Sequence, residues 1–150
     1  MRLTIYTDYS LRVLIYLTTL SENERTNIKD IANAYGISKN HLMKVILQLG
    51  KLGLIETTRG RNGGLRLAVK PSDINIGSVV RQTEDDFNIV ECFSKEQNKC
   101  SISPVCSLKG VLHQALMAYL DVLDQYTLAD LTTNGSLLKE LLQDKDPTLL

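Results

Sequence analysis

A chain of 150 residues that is 43% hydrophobic and 23% charged can bury a real core and is not disordered; it suits one domain, or a small domain with an extension. Seventeen Lys/Arg balance seventeen Asp/Glu, but residues 1–70 carry eleven basic against five acidic side chains, a net of +6, and residues 71–150 carry six against twelve, a net of −6. The basic front half suits a polyanion; with no secretory signal and no apolar run long enough for a bilayer, a cytoplasmic protein without membrane contact is expected.

Thr7, with Asp8 beside it, is placed to cap a first helix, which Leu11, Leu14, Ile15 and Leu17 continue to Leu20. SENERT reads as a loop. Thr26 or Asn27 starts a second helix with Ile28, Ile31, Ala32 and Tyr35 on one side, and Gly36 ends it. Ser38 caps a third helix whose Leu42, Val45, Ile46 and Leu49 must face the core. A helix, a tight turn with glycine and a second helix form the DNA-binding signature. The outer face of the third helix strengthens it: Ser38, Lys39, Asn40, His41 and Lys44, with Gln48 and Lys51 beyond, are groups that reach base edges and phosphates.

LIETTRGRNGGLRLAV then reads as a β-hairpin, with strands Leu54–Thr58 and Leu65–Val69 and a tip in which Asn62-Gly63-Gly64 takes positive φ. A hairpin directly after a recognition helix is a wing, and Arg59, Arg61 and Asn62 on it suit phosphates or a narrow minor groove, with Arg66 nearby. Lys70-Pro71 breaks the wing. Ile74, Ile76, Val79 and Val80 suggest a short helix, with Glu84, Asp85 and Asp86 at its end, where they oppose its dipole.

The three cysteines are confined to CFSKEQNKCSISPVC, residues 92–106, with seven residues between the first pair and five between the second. Three cannot all pair internally, and thiolates are soft ligands for zinc, copper(I) or iron–sulfur iron. Scattered cysteines are usually small buried hydrophobes, but these share one polar loop. His41 and His113 suggest no nucleophilic pair, and no phosphate loop or catalytic carboxylate pair is present, so no enzyme is expected. A helix from about Ser107 to Leu123 carries Leu108, Leu112, Ala115, Tyr119 and Val122 at heptad spacing, a seam for a second copy. Leu116, Leu120 and Leu123 widen its apolar face. Short helical turns at Thr127–Leu131 and Leu137–Leu142 and a frayed end from Asp144 complete the chain.

With these parts in place, TDYSLRVLIYL at 7–17, the stretch 27–68, DINIGSVVRQTEDDFNIVEC at 73–92 and residues 100–131 resemble the iron–sulfur winged-helix repressors of the NsrR and IscR type, and the NsrR type most. The resemblance spans residues 1–132 and implies a mainly α fold with a small hairpin wing: a winged helix-turn-helix domain at 1–72, a cluster loop and long dimerisation helix at 73–132, and a tail at 133–150. It further implies a homodimer that binds double-stranded operator DNA and holds an iron–sulfur cluster through Cys92, Cys100 and Cys106. The cluster would be of four irons and four sulfides, with two of each as the alternative. The fourth ligand would be a carboxylate from near the N-terminus of the partner subunit, matching Asp8. Nitric oxide would be the signal that ends repression. Competing readings are a winged-helix repressor with a structural zinc, one that senses through its thiols, and a regulator of cluster-assembly genes. Should Asp8 prove only a cap, Glu84, Asp85 and His113 are the next ligand candidates.

Overall fold

The computed structural model of the protein describes residues 2–61 and 63–143. Helix α1 (Ile5–Thr18) starts earlier than Thr7 suggests, because Thr4 is its cap: the Thr4 side chain accepts from the Thr7 amide at 3.2 Å. Thr7 is instead fully buried inside the helix. A contact from afar decides between the two threonines. The Glu84 carboxylate accepts from both the Thr4 amide, at 2.8 Å, and its hydroxyl, at 3.0 Å. The helix also stops short of Leu20. Thr18 and Thr19 donate hydroxyl protons to the Ile15 and Tyr16 carbonyls, at 2.7 and 2.8 Å, which ends the ladder in the way threonine favours.

Helix α2 (Ile28–Tyr35) is capped by Asn27, one of its two candidates, while Thr26 pairs with Leu65; Gly36 closes it at φ 65° and Ser38 caps α3 (Lys39–Lys51), as expected. The apolar stripe of α3 is buried at Leu42, Val45, Ile46 and Leu49. Strands β1 (Ile55–Thr58) and β2 (Gly64–Leu67) pair antiparallel, with Glu56 opposite Arg66. The tip meets expectation at Gly64 and differs from it at Gly63. Positive φ falls at Gly60 (105°) and Gly64 (152°), while Gly63 is required by proximity: a Cβ there would lie 2.2 Å from the Thr58 carbonyl oxygen. Asn62 lies outside the described residues.

Helix α4 (Ile76–Thr83) is capped by Asn75 and leaves Ile74 outside it. Ile74 is extended because its carbonyl accepts from Leu128 at 2.8 Å, while the Ile76 amide donates to Tyr126 at 2.9 Å. The long helix α5 (Ser107–Asp124) buries Leu116 and Leu120 and packs on α4. Its end is held by Arg81, which donates to the Asp124 carboxylate at 2.7 Å and keeps that carboxyl below its usual range. Helix α6 (Leu128–Leu131) opens with a Thr127/Asp130 capping box, and α7 (Gly135–Gln143) packs on α1 and α2.

Val13, Leu14 and Leu17 of α1, Ile31 of α2, the α3 stripe, Ile55 and Leu65 of the wing, Ile74, Val79 and Leu128 form one cluster. Full burial of a side chain such as Leu128 contributes about 1.5–3 kcal/mol, so the chain after α5 is an integral part of the winged core. Among the described residues no helix is long and apolar enough to cross a membrane. The stretch from Asp144 lies outside the described residues.

Candidate functional site: a basic winged face and a thiol loop

The third helix turns its apolar stripe inward, which leaves Ser38, Lys39, Asn40, His41 and Lys44 exposed on one outer surface. Exposed Met43 and Leu47 share it and suit thymine methyl groups. Arg59 and Arg61 on the wing are exposed and form no ion pair with another described residue. Arg66 is different: its guanidinium is taken up by the Glu56 carboxylate across the strand pair. It is therefore engaged within the wing.

Two contacts that sequence reasoning missed join α1 to this surface. The Tyr6 hydroxyl donates to the Lys44 carbonyl at 3.4 Å, and the Tyr9 ring lies 6.2 Å from the His41 ring, tilted by 39°. Burial raises the Tyr6 phenol above its ordinary pKa, so it remains a donor at neutral pH. Helical spacing in α1 explains the Leu and Val positions, but nothing local says which helix its tyrosines meet.

Asp8 lies on α1 between those tyrosines. It is half-buried and forms a two-pronged ion pair with Arg12, at 2.9 and 3.0 Å. Arg12 in turn lies 5.8 Å from the Tyr35 ring centre, and burial pushes the Tyr35 phenol up to about 12, so that ring stays neutral beneath the cation.

The cysteines occupy an irregular stretch between α4 and α5. Cys92 sits in the 3-10 turn Glu91–Phe93, and Cys106 immediately precedes α5 after a second turn, Ser103–Val105. All three thiols are free; Cys92 and Cys106 are half-buried and Cys100 is exposed. The path of the loop is set by polar contacts that do not use sulfur. The Lys99 backbone amide donates to the Glu91 carboxylate at 2.5 Å, the Cys100 backbone amide to the Asn98 side-chain oxygen at 3.1 Å, and the Asn98 side-chain Nδ2 to the Ser103 hydroxyl at 3.0 Å. Beside Cys106 opens a cavity of about 820 Å³ with Phe87, Phe93, Lys109 and His113 in its walls.

Among the described residues no three His, Cys, Asp or Glu side chains are gathered to hold a metal ion, so a single chain does not bring the thiols and Asp8 to one point. The donor chemistry nonetheless fits a sulfide-bridged iron group: three unpaired soft donors share one loop, none tied up in a disulfide. Of the reserve ligands, Glu84 is engaged by Thr4, Asp85 is exposed, and His113 is exposed with its ring 6.1 Å from Phe93.

The outer face of α5 carries an apolar stripe, shifted from the expected one. Leu108, Val111 and Val122 are 61%, 60% and 53% exposed, and Ala115 and Ala118 are exposed between them. Leu112 and Tyr119 are half-buried on its flank, with Tyr119 in the wall of a second cavity beside Thr4 and Glu84. Once Leu116 and Leu120 turn inward onto α4, helix geometry rotates Val111 and Ala118 to the outside in their place.

Comparison with known proteins follows the same lines. Residues 3–134 match the family described as Rrf2, iron-dependent transcriptional regulator. The chain is similar to the HTH-type transcriptional regulator NsrR of Bacillus licheniformis, with 66% identity over 142 residues, which is 95% of this chain and 99% of that protein. It is similar to the crystal structure of the oxidized form of Staphylococcus aureus CymR, with a TM-score of 0.71 and 26% identity over 89% of this chain and 97% of that one. It is also similar to T. potens IscR, with a TM-score of 0.70 and 26% identity over 90% of this chain and 88% of that one.

Proposed function

Because the chain belongs to the Rrf2 family of iron-dependent transcriptional regulators, and is a winged-helix DNA-binding regulator and not an enzyme, we propose that it is a cytoplasmic, homodimeric repressor whose hold on operator DNA follows an iron–sulfur cluster, with nitric oxide as the signal. One observation carries the link between signal and DNA. Helix α1 carries Asp8 in the same turn as Tyr6, bonded to the α3 backbone, and Tyr9, packed on His41, although on another face of that turn. A change of partner at Asp8 therefore acts on the element that supports the DNA-reading surface.

Cys92, Cys100 and Cys106 would hold three irons of a four-iron cluster through thiolates, and Asp8 of the partner subunit the fourth through a harder oxygen; a two-iron cluster is the smaller alternative. When bound, such a cluster supplies iron that reacts with nitric oxide. The chain's own part is to hold two arrangements of different DNA affinity. In one, Asp8 is released from Arg12 to serve as a ligand; in the other, Arg12 recovers it through the ion pair at 2.9 and 3.0 Å. On DNA, Lys39, Asn40, His41 and Lys44, introduced by Ser38, enter the major groove. Arg59, Arg61 and Asn62 reach the flanking minor groove. A dimer requires two half-sites about 34–36 Å apart.

The test is the absorption spectrum of protein purified without oxygen, with iron, sulfide and zinc analysis. A brown protein containing iron and sulfide, which releases a bound duplex when nitric oxide is added, supports the reading. A colourless zinc protein, or DNA binding indifferent to nitric oxide, refutes it. Asp8→Cys replaces the oxygen donor by a fourth thiolate, so stopped-flow absorbance is expected to show slower reaction with nitric oxide. Identical kinetics and DNA release would reduce Asp8 to a partner for Arg12.

The wing gives a separate expectation. Arg61→Ala deletes one phosphate contact, so the slope of log affinity against log salt falls by about one unit, with similar loss on every sequence. An unchanged slope in a gel-shift titration would remove the wing tip from the interface.

A further inference from the structure

We infer that Arg25 and Glu56 are positioning residues for DNA binding: they bolt the wing to the α1–α2 loop and so set where its tip arginines meet the duplex. The inference rests on the proposed role of the wing. The wing is not a free hairpin. Thr26 forms a bridge with Leu65, through amide-to-carbonyl bonds of 3.1 and 2.7 Å, which adds a third short edge to the two strands. Gly64 permits this approach, since a Cβ there would lie 2.6 Å from the Thr26 carbonyl oxygen.

Beside that bridge, the Arg25 guanidinium donates to the Thr58 hydroxyl at 3.0 Å and to Glu56 Oε1 at 3.2 Å. The same Glu56 oxygen accepts from Arg66 on the facing strand. The hydrogen bond from Arg66, and after it the one from Arg25, holds the Glu56 carboxyl below its usual range, so it is ionised wherever DNA is bound. Glu56 and Thr58 are two residues apart and share one face of β1, so one planar guanidinium spans both. A carboxylate on a DNA-facing wing repels phosphate. Its presence here is accounted for by what it holds: two arginines, from a loop and a strand, at one oxygen. Arg59 and Arg61 begin one residue beyond Thr58, so the orientation of the whole tip follows from this clamp.

The consequence runs against simple charge counting. Glu56→Gln makes the wing more positive, yet it removes the charge that draws both guanidiniums to one oxygen and leaves only a weaker amide acceptor, so the tip they orient is loosened. A preorganised surface binds more weakly once it is freed to move. The probe is a duplex that the wild-type protein enriches from a random-sequence pool, measured by fluorescence anisotropy over a salt series. Glu56→Gln is expected to bind it about tenfold more weakly, the loss of one charged hydrogen-bond set. Its salt slope should fall as well, by about one unit for each phosphate the tip no longer reaches. Arg25→Ala should behave in the same way and Arg25→Lys recover part of the loss, while circular dichroism and melting of all three stay at the wild-type values. Thr58→Val removes one hydrogen bond from Arg25 and no charge; it should bind about threefold more weakly, and it keeps the test decisive if Glu56→Gln fails to fold. Equal or tighter binding by Glu56→Gln, or by Thr58→Val where the former does not fold, overturns the clamp and leaves Glu56 as a brake on DNA affinity. If the wild type enriches no duplex, the DNA-binding role of the wing falls and the clamp with it.

Discussion

Replacing any one of Cys92, Cys100 and Cys106 by alanine yields a folded, colourless protein without iron or sulfide that no longer represses. Each thiolate would hold a different iron, and an iron that lacks its soft ligand leaves the cluster open to loss. The protein remains folded because the loop does not rely on sulfur. Glu91, Asn98 and Ser103 fix its path through their own hydrogen bonds, and Leu116 and Leu120 anchor the helix that follows. This separates loss of the cluster from loss of the fold. Circular dichroism should match the wild type while operator affinity drops about 5–150-fold, the usual range of coupling between two sites. A cysteine variant that keeps its full iron and sulfide would remove that residue from the ligand set. An unfolded one would mean that the thiols are core residues after all.

Val111→Asp converts the protein to monomers and lowers operator affinity by about 10²–10⁴-fold, the avidity that disappears when two half-sites are no longer held together. In a single chain Val111 is 60% exposed, so the substitution has little cost for the fold. Between two copies it would bury an unpaired carboxylate, which is strongly destabilising. Leu112→Asp makes the contrast. Leu112 is half-buried within its own chain, so the same charge there disturbs the monomer as well as the seam. Light scattering and thermal melting of the two variants tell these cases apart. A Val111→Asp protein that remains dimeric places the contact between copies on another surface.

How far these residues could be read in advance depends on how local their determinants are. The caps Asn27 and Ser38 and the closing Gly36 were legible, because each acts on amides or backbone angles within one turn. So was the buried stripe of α3, since helical periodicity specifies one face. The cap of α1 was not. Thr4 and Thr7 are both acceptable there, and Glu84, eighty residues away, selects Thr4. The wing was found from its glycines, and positive φ was assigned rightly at Gly64 but wrongly at Gly63, while Gly60 was missed. Gly63 answers to the Thr58 carbonyl oxygen, a contact across the hairpin that no dipeptide rule contains.

The sequence by itself determined the element types, the order of helix, turn, helix and wing, the exposed basic surface and the confinement of three thiols to one loop. Those follow from periodicity, capping chemistry and composition, which neighbouring residues set. Only the tertiary structure decided which wing arginines are paired among the described residues and how α1 meets α3. Arg66 is held by Glu56, while Arg59 and Arg61 form no described ion pair. Tyr6 and Tyr9 reach Lys44 and His41. The exposed α5 stripe runs through Val111 and Ala118 because Leu116 and Leu120 are drawn inward by α4. A side chain's own type says what it can bond. Which partner it finds depends on groups brought close by chain closure over tens of residues, and no local pattern records that.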